Sequence, residues 1–323
     1  MKLWNQIFHP EVFQGNTNDK HYFEGWYFKH LSVDGKIIVF IPGVSYEEKK
    51  KSAFIQVMMG PPLKSYYIPF SIGEFSWTIN PFSIQIGPNV FGEGGIKVQI
   101  DYEDLQIEGS IVYTKWTGLK RSLLQPNVMG FFSYLTFLEC YHGLLSLGHR
   151  LCGSIKCNGV EHSYNEGKGY VEKDWGTSFP KHYIWIQCNT FHGANASLMC
   201  SVAHIPFRKR EFTGFIVVLL VDQKEYRFAT YNGSKLMGIQ NKKQSIALIF
   251  KKNRTFLEII GKKSESGSLK APKKGVMNTE IQEILDGEIV LRLYQNKKLL
   301  FEGSGTHASI EIVGYTPIKP LKT

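Results

Sequence analysis

Short runs of β-branched and aromatic residues recur from one end of this chain to the other, each cut off by Gly, Asn, Asp or Pro. Such runs read as strands: a pleated surface favours branched and aromatic side chains, and the punctuating residues favour turns. Residues 36–44, 53–59, 65–72, 95–101 and 104–115 are of this kind. So are residues 183–189, 196–205, 214–221, 225–231, 245–251 and 255–260, and a closing meander over 288–294, 299–302 and 307–313. Many strands at short spacing predict an all-β protein of antiparallel barrels or sandwiches. A length of 323 residues suits two such domains.

One stretch breaks the rhythm. Residues 119–151, LKRSLLQPNVMGFFSYLTFLECYHGLLSLGHRL, are apolar, interrupted by Pro126 and poor in charge. They read as a connection with a short helix, so the domain cut is expected within 116–150, giving domains over 1–130 and 131–323. Residues 262–278 are polar and rich in Lys, Ser and Gly, which predicts an exposed loop. Each half opens with an aromatic strand near carboxyl groups, a faint internal echo that agrees with two similar domains.

Charge is unevenly spread. Residues 1–180 hold 16 basic and 17 acidic side chains, whereas residues 181–323 hold 22 and 11. A basic second half suits peripheral contact with an anionic membrane. The basic residues are scattered and carry no nucleic-acid-binding signature, so nucleic acid is not an expected partner. Five cysteines, without a Cys-x-x-Cys pair, fit reduced thiols in a cytoplasmic protein. No long apolar segment opens the chain and no run of about 18 apolar residues occurs, so neither a signal peptide nor a helical span is expected. Aromatic residues make up 14%, enough to wall a site for a hydrophobic small molecule as well as to fill cores.

Three segments carry candidate chemistry. In His21-Tyr-Phe-Glu-Gly-Trp-Tyr-Phe-Lys29, strand alternation puts Glu24, Trp26 and Phe28 on one face and Phe23, Tyr27 and Lys29 on the other. A carboxyl beside a Trp among apolar neighbours is costly to ionise and can stay protonated as an acid; the competing reading is a Glu paired with a Lys. In residues 170–180, YVEKDWGTSFP, Glu172 and Asp174 share one face and Lys173 and Trp175 the other. Two carboxyls on one face suit proton transfer, and equally a solvated sheet edge. In residues 137–149, Glu139 and His142 would touch at i,i+3 if helical. A single Glu-x-x-His is thin support for a metal, so no metal site is expected; a buried hydrogen-bonded His–Glu pair that orients other groups is. The signatures of common hydrolases, nucleotide-binding enzymes and kinases are missing.

Together these segments resemble the tocopherol cyclase family. The similarity is densest over 167–191, at Tyr170, Glu172, Lys173, Asp174, Trp175, Gly176, Phe179, Pro180, Trp185, Gln187, Asn189 and Phe191. Residues 23–27 resemble the family's Glu-Gly-Trp block, and 139–143 with His149 a block of bacterial members. The resemblance implies two lipocalin-like β halves and cofactor-independent cyclisation of a prenylated hydroquinone or related isoprenoid. In that reaction an alkene is protonated and a phenol oxygen captures the cation. It makes Asp174 or Glu24 the expected proton donor, with Glu172 tuning it. Trp26, Tyr27, Lys173, Trp175, Trp185, Gln187, Asn189, Glu139 and His142 become expected pocket residues. Many family members carry Asn where this chain has Asp174, which draws the acid role toward Glu24 or Glu172. A lipocalin-like carrier, and an isoprenoid hydratase or pericyclase, are the alternative readings of the same fold.

Overall fold

The computed structural model describes residues 6–16, 18–48, 50–207 and 210–315. They form two compact units, Met1–Phe179 with Leu269–Glu280, and Pro180–Ser268 with Ile281–Thr323.

In the first unit, β1 (His21–Leu31), β2 (Ile37–Glu47), β3 (Lys50–Gly60), β4 (Lys64–Ser71), β5 (Phe75–Ile79) and β6 (Phe82–Ile86) are followed by β7 (Asn89–Gly92), β8 (Gly95–Tyr102), β9 (Leu105–Tyr113), β10 (Cys140–Cys157), β11 (Val160–Ser163) and β12 (Lys168–Gly176). Among the described residues they make one antiparallel sheet in the order β4-β3-β2-β1-β12-β10-β9-β8-β7-β6-β5, with β11 on β10. The end strands of that order, β4 and β5, are consecutive in sequence. The three-residue turn Ile72–Glu74 joins them, capped reciprocally by Ser71 and Glu74. So short a link between first and last strands rolls the sheet up. Its concave side is filled by a continuous cluster that includes Trp26, Phe28, Phe40, Phe82, Phe91 and Val171.

The second sheet repeats the plan. Its strands are β13 (Tyr183–Cys188), β14 (Ala196–Phe207), β15 (Arg210–Val221), β16 (Lys224–Ala229), β17 (Lys235–Asn241), β18 (Ser245–Lys252), β19 (Thr255–Lys262), β20 (Ser266–Lys273), β21 (Val276–Gln295) and β22 (Lys298–Val313). The order is β16-β15-β14-β13-β22-β21-β19-β18-β17, with β20 on β21. Again the end strands β16 and β17 are consecutive, linked through the turn Thr230–Asn232. In both units the first strand pairs with the last of its run, β1 with β12 and β13 with β22. The faint echo in the sequence has a counterpart in this repeated topology.

The all-β, two-sheet reading holds, and four local expectations are corrected. First, the units divide at Phe179 and Pro180, not within 116–150. β12 pairs with both β1 and β10, so the first sheet is incomplete until residue 176. The motif over 167–191 therefore straddles the division instead of belonging to a second domain. Second, the expected short helix is the 3-10 helix Gly130–Tyr134, but the connection around it is shorter than expected: residues 140–157 form the long strand β10, and a tight turn is closed by Ser122 and Gln125. Residues 142–147 are buried on both faces, which erases the alternation that marks a half-buried strand. Third, residues 262–278 are largely strand. Leu269 and Ala271 are buried while Lys270 between them is exposed, a two-residue period masked by lysine. Fourth, the closing meander is two long strands, since residues 303–305 continue β22.

Candidate active site

β12 presents its two faces to two different arrangements. Alternation and cross-strand register place Lys173 and Trp175 with Glu24 and Trp26 on the concave side, and Glu172 and Asp174 with Tyr27 and His142 on the other.

On the concave side Lys173 and Glu24 form an ion pair with no exposure of either side chain. The ammonium also donates to the carbonyls of Pro10 (2.8 Å) and Val12 (2.6 Å) and stands over the rings of Trp26 (4.7 Å) and Trp175 (4.8 Å). Both Glu24 oxygens accept from the Gln14 N–H (3.0 Å each), and Oε2 also from the Gly15 N–H (3.2 Å) and the Tyr22 hydroxyl. The Trp26 indole donates to the Glu11 carbonyl (2.8 Å). Burial pushes the Glu24 carboxyl up and the Lys173 ammonium down, opposed by the attraction between them. Every group aimed at Glu24 is a donor, so its oxygens serve as acceptors. Glu24, expected as a proton donor, and Trp26 and Lys173, expected in a pocket wall, thus meet in one buried network. Together these side chains fasten residues 10–15 onto the barrel. Trp26 is fully buried against Phe75 and Phe82. Trp175 stacks on Tyr141 at 5.5 Å.

On the opposite face His142 stands between two carboxyls. Its Nδ1 is 2.8 Å from Asp174 Oδ1, and its Nε2 is 3.6 Å from Glu172 Oε2. The Tyr170 hydroxyl donates to the same Glu172 oxygen, and Tyr27 meets Tyr170 edge to face at 6.5 Å. Glu172, Tyr170 and Tyr27 are buried, and Asp174 is partly open. Gly25 pairs with Asp174 across β1 and sets no side chain beside it. Burial opposes protonation of His142, but the charges of Asp174 and Glu172 and the Asp174 hydrogen bond outweigh it and push the imidazole up to about 9. The three groups each offer a ligand atom within 4.8 Å of one another, a donor set able to hold a divalent cation. Glu139 is not part of this array: it is exposed ahead of β10, and its carbonyl accepts from the Thr177 N–H (2.8 Å). The His–Glu pairing read from Glu-x-x-His is replaced by His142–Asp174 because the segment is a strand, not a helix.

In the second unit Trp185 and Gln187 alternate on the face of β13 turned away from the core cluster that takes Ile184, Ile186 and Cys188, and Asn189 follows, buried, just past the strand's end. Their cross-strand neighbours are Glu311 and Ser309, and Glu283 lies opposite Glu311 in turn. The Tyr183 hydroxyl donates to Glu311 (2.6 Å). Glu283 and Glu311 were not singled out from sequence, although each adjoins a buried isoleucine, Ile284 and Ile310. Also missed was the interior set His30, Tyr113 and Ser146, which gathers around His149. His30 accepts from the Tyr113 hydroxyl, and His149 Nδ1 is 2.9 Å from Ser146 Oγ. Burial lowers both histidines to about 3, His149 with help from His30.

Two rolled antiparallel sheets of repeated topology define a lipocalin-like all-β protein. Solved structures share this fold at low identity. CghA, solved with Sch210972, matches with a TM-score of 0.56 at 9% identity, covering 91% of this chain and 89% of that one. An AttH-type protein from Nitrosomonas europaea matches with 0.51 at 14%, covering 94% and 95%. Kievitone hydratase from Nectria haematococca matches with 0.50 at 11%, covering 93% and 90%. The tocopherol cyclase-like family model matches residues 104–314, and the chain belongs to that family. Curated relatives include a probable chloroplastic tocopherol cyclase of Oryza sativa subsp. japonica, 29% identical over 79 residues, and the chloroplastic tocopherol cyclase of Zea mays, 28% over 88. These matches cover 24% and 27% of this chain and only 17% and 18% of the relatives.

Proposed function

We propose that this protein closes a ring on a prenylated hydroquinone or related isoprenoid. The observation that carries the reading is His142 held between Glu172 and Asp174, on the family's motif and on a face almost closed to water. Ring closure adds a proton to an alkene carbon and removes one from a phenol oxygen, so composition is unchanged and no electron acceptor is consumed. Glu172 is assigned as the acid. With the proton that His142 carries, passed from Nε2, it protonates the alkene; the phenol oxygen bonds to the tertiary cation, and the phenol proton returns through the carboxylate to His142. The Tyr170 hydroxyl stabilises the carboxylate left after delivery. Asp174 positions His142 through Nδ1. The rings of Tyr27 and Tyr170 offer π faces to the cation. Trp185, Gln187 and Asn189 are assigned to substrate binding on the family motif alone.

Incubating the purified chain with a prenylated hydroquinone in D₂O tests this. A chromanol carrying one deuterium on carbon is expected. Glu172→Gln should lower turnover by about 100-fold or more while its circular dichroism stays that of the parent fold. Retention without conversion would replace the reading with a carrier, and a tertiary alcohol product with a hydratase.

A further inference from the structure

We propose that the turn at residues 122–125 is an insertion tip that seats the first unit on an anionic lipid bilayer. Leu123 and Leu124 occupy its apex, 75% and 78% exposed. The turn is closed by reciprocal backbone hydrogen bonds between Ser122 and Gln125 (2.9 and 3.0 Å), and the Tyr134 hydroxyl holds the Leu123 carbonyl (2.5 Å). Its base is anchored. Val128 and Met129 are buried, and Asn127 donates to the Ile7 carbonyl (2.9 Å) while accepting from Met129 N–H and Ser133 Oγ. The two leucines are therefore not side chains that missed a core; the turn holds them in water.

Charge selects the occupant. Residues 109–138 contain Lys115, Lys120 and Arg121 and no Asp or Glu. Glu11 lies 3.7 Å from Arg121, whose guanidinium also holds the Phe8 carbonyl. Lys115 and Lys120, which precede the tip in sequence, are exposed, and Phe131 and Phe137 on the same segment are 46% and 57% exposed. Leucines below a cationic collar match acyl chains below anionic headgroups. Two leucines make far less than the roughly 800 Å² per partner of a stable protein interface, whereas a bilayer needs only their insertion. The inference moves membrane contact from the basic second half of the chain to the first unit.

The test is flotation of the full chain with vesicles of phosphatidylcholine alone and of equimolar phosphatidylcholine and phosphatidylglycerol, at low and high salt. Binding to the anionic vesicles at low salt is expected, and substrate plays no part in the assay. Leu123→Ser with Leu124→Ser should reduce partitioning by about tenfold or more at unchanged circular dichroism. Lys115→Gln with Lys120→Gln should weaken binding and flatten its salt dependence. No flotation of the parent protein, or equal flotation of the leucine variant, overturns the proposal. So does a leucine variant that dissolves a dimer in light scattering while floating normally, which would make the tip a contact between two copies.

Discussion

Lys173 places its ammonium on the Glu24 carboxylate inside the first unit, with neither side chain reaching water. The pair is the hub that holds the carbonyls of Pro10 and Val12 and the amides of Gln14 and Gly15. Removing one partner strands the other as a buried charge. Lys173→Met is expected to destabilise the protein by about 3–5 kcal/mol in denaturant unfolding. Glu24→Gln with Lys173→Met should recover much of that loss, because no uncompensated charge remains. Proteolysis near residues 10–15 should accelerate in the single variant. A loss that is simply additive in the double variant would show that the pair is not coupled.

His142 carries the clearest pH signature. Its folded value, about 9, lies above the ordinary 6.5, so the folded state holds the proton more tightly than the unfolded chain. That contribution is fully present below pH 6.5 and is lost as pH rises through 9. At 1.36 kcal/mol per unit it amounts to about 3 kcal/mol. Urea unfolding of the parent should show this decline between the two values, and His142→Gln should flatten it. Asp174→Asn should shrink it, since the charge and hydrogen bond of Asp174 are among its causes.

The interior histidines act with the opposite sign. His30 and His149 are lowered to about 3 by burial, so on acidification the unfolded chain binds protons first. Stability should fall as pH drops from 6.5 toward 3, by about 1.4 kcal/mol per pH unit for each histidine. With His142 failing on the alkaline side, maximal stability is expected near pH 6.5. Replacing His149 by Phe should halve the acid slope; an unchanged slope would remove His149 from the account.

The sequence made the two faces of residues 21–29 and 170–176 readable, because a strand's alternation needs no knowledge of its neighbours. It did not reveal which face is concave. Glu24 beside Trp26 reads equally as an acid in an apolar pocket or as half of an ion pair; only the β1–β12 register, Trp26 opposite Lys173, decides between them. His142 was visible as a polar island, but its partner lies 32 residues on in β12, beyond the reach of local periodicity. The domain cut was misplaced for a related reason. The pairing of β1 with β12 closes the first sheet across more than 130 residues, and nothing between them in the sequence announces it.

That long-range closure also fixes a glycine. Gly169 lies between His30 of β1 and His149 of β10 in register, and a Cβ there would come 2.1 Å from His149 Nε2. The imidazole cannot swing aside readily, since it packs on Tyr113 at 4.4 Å and is tied to Ser146. Gly169→Ala is therefore expected to cost about 1–3 kcal/mol through overpacking. The clash is with a side chain rather than backbone, so a second change should relieve it: His149→Ala should be destabilising in the parent and much less so beside Gly169→Ala. A double-mutant cycle by urea unfolding reads this coupling directly. A coupling near zero would mean that β12 shifts to make room, and that the packing of His149 over Gly169 does not hold the register of β10 against β12.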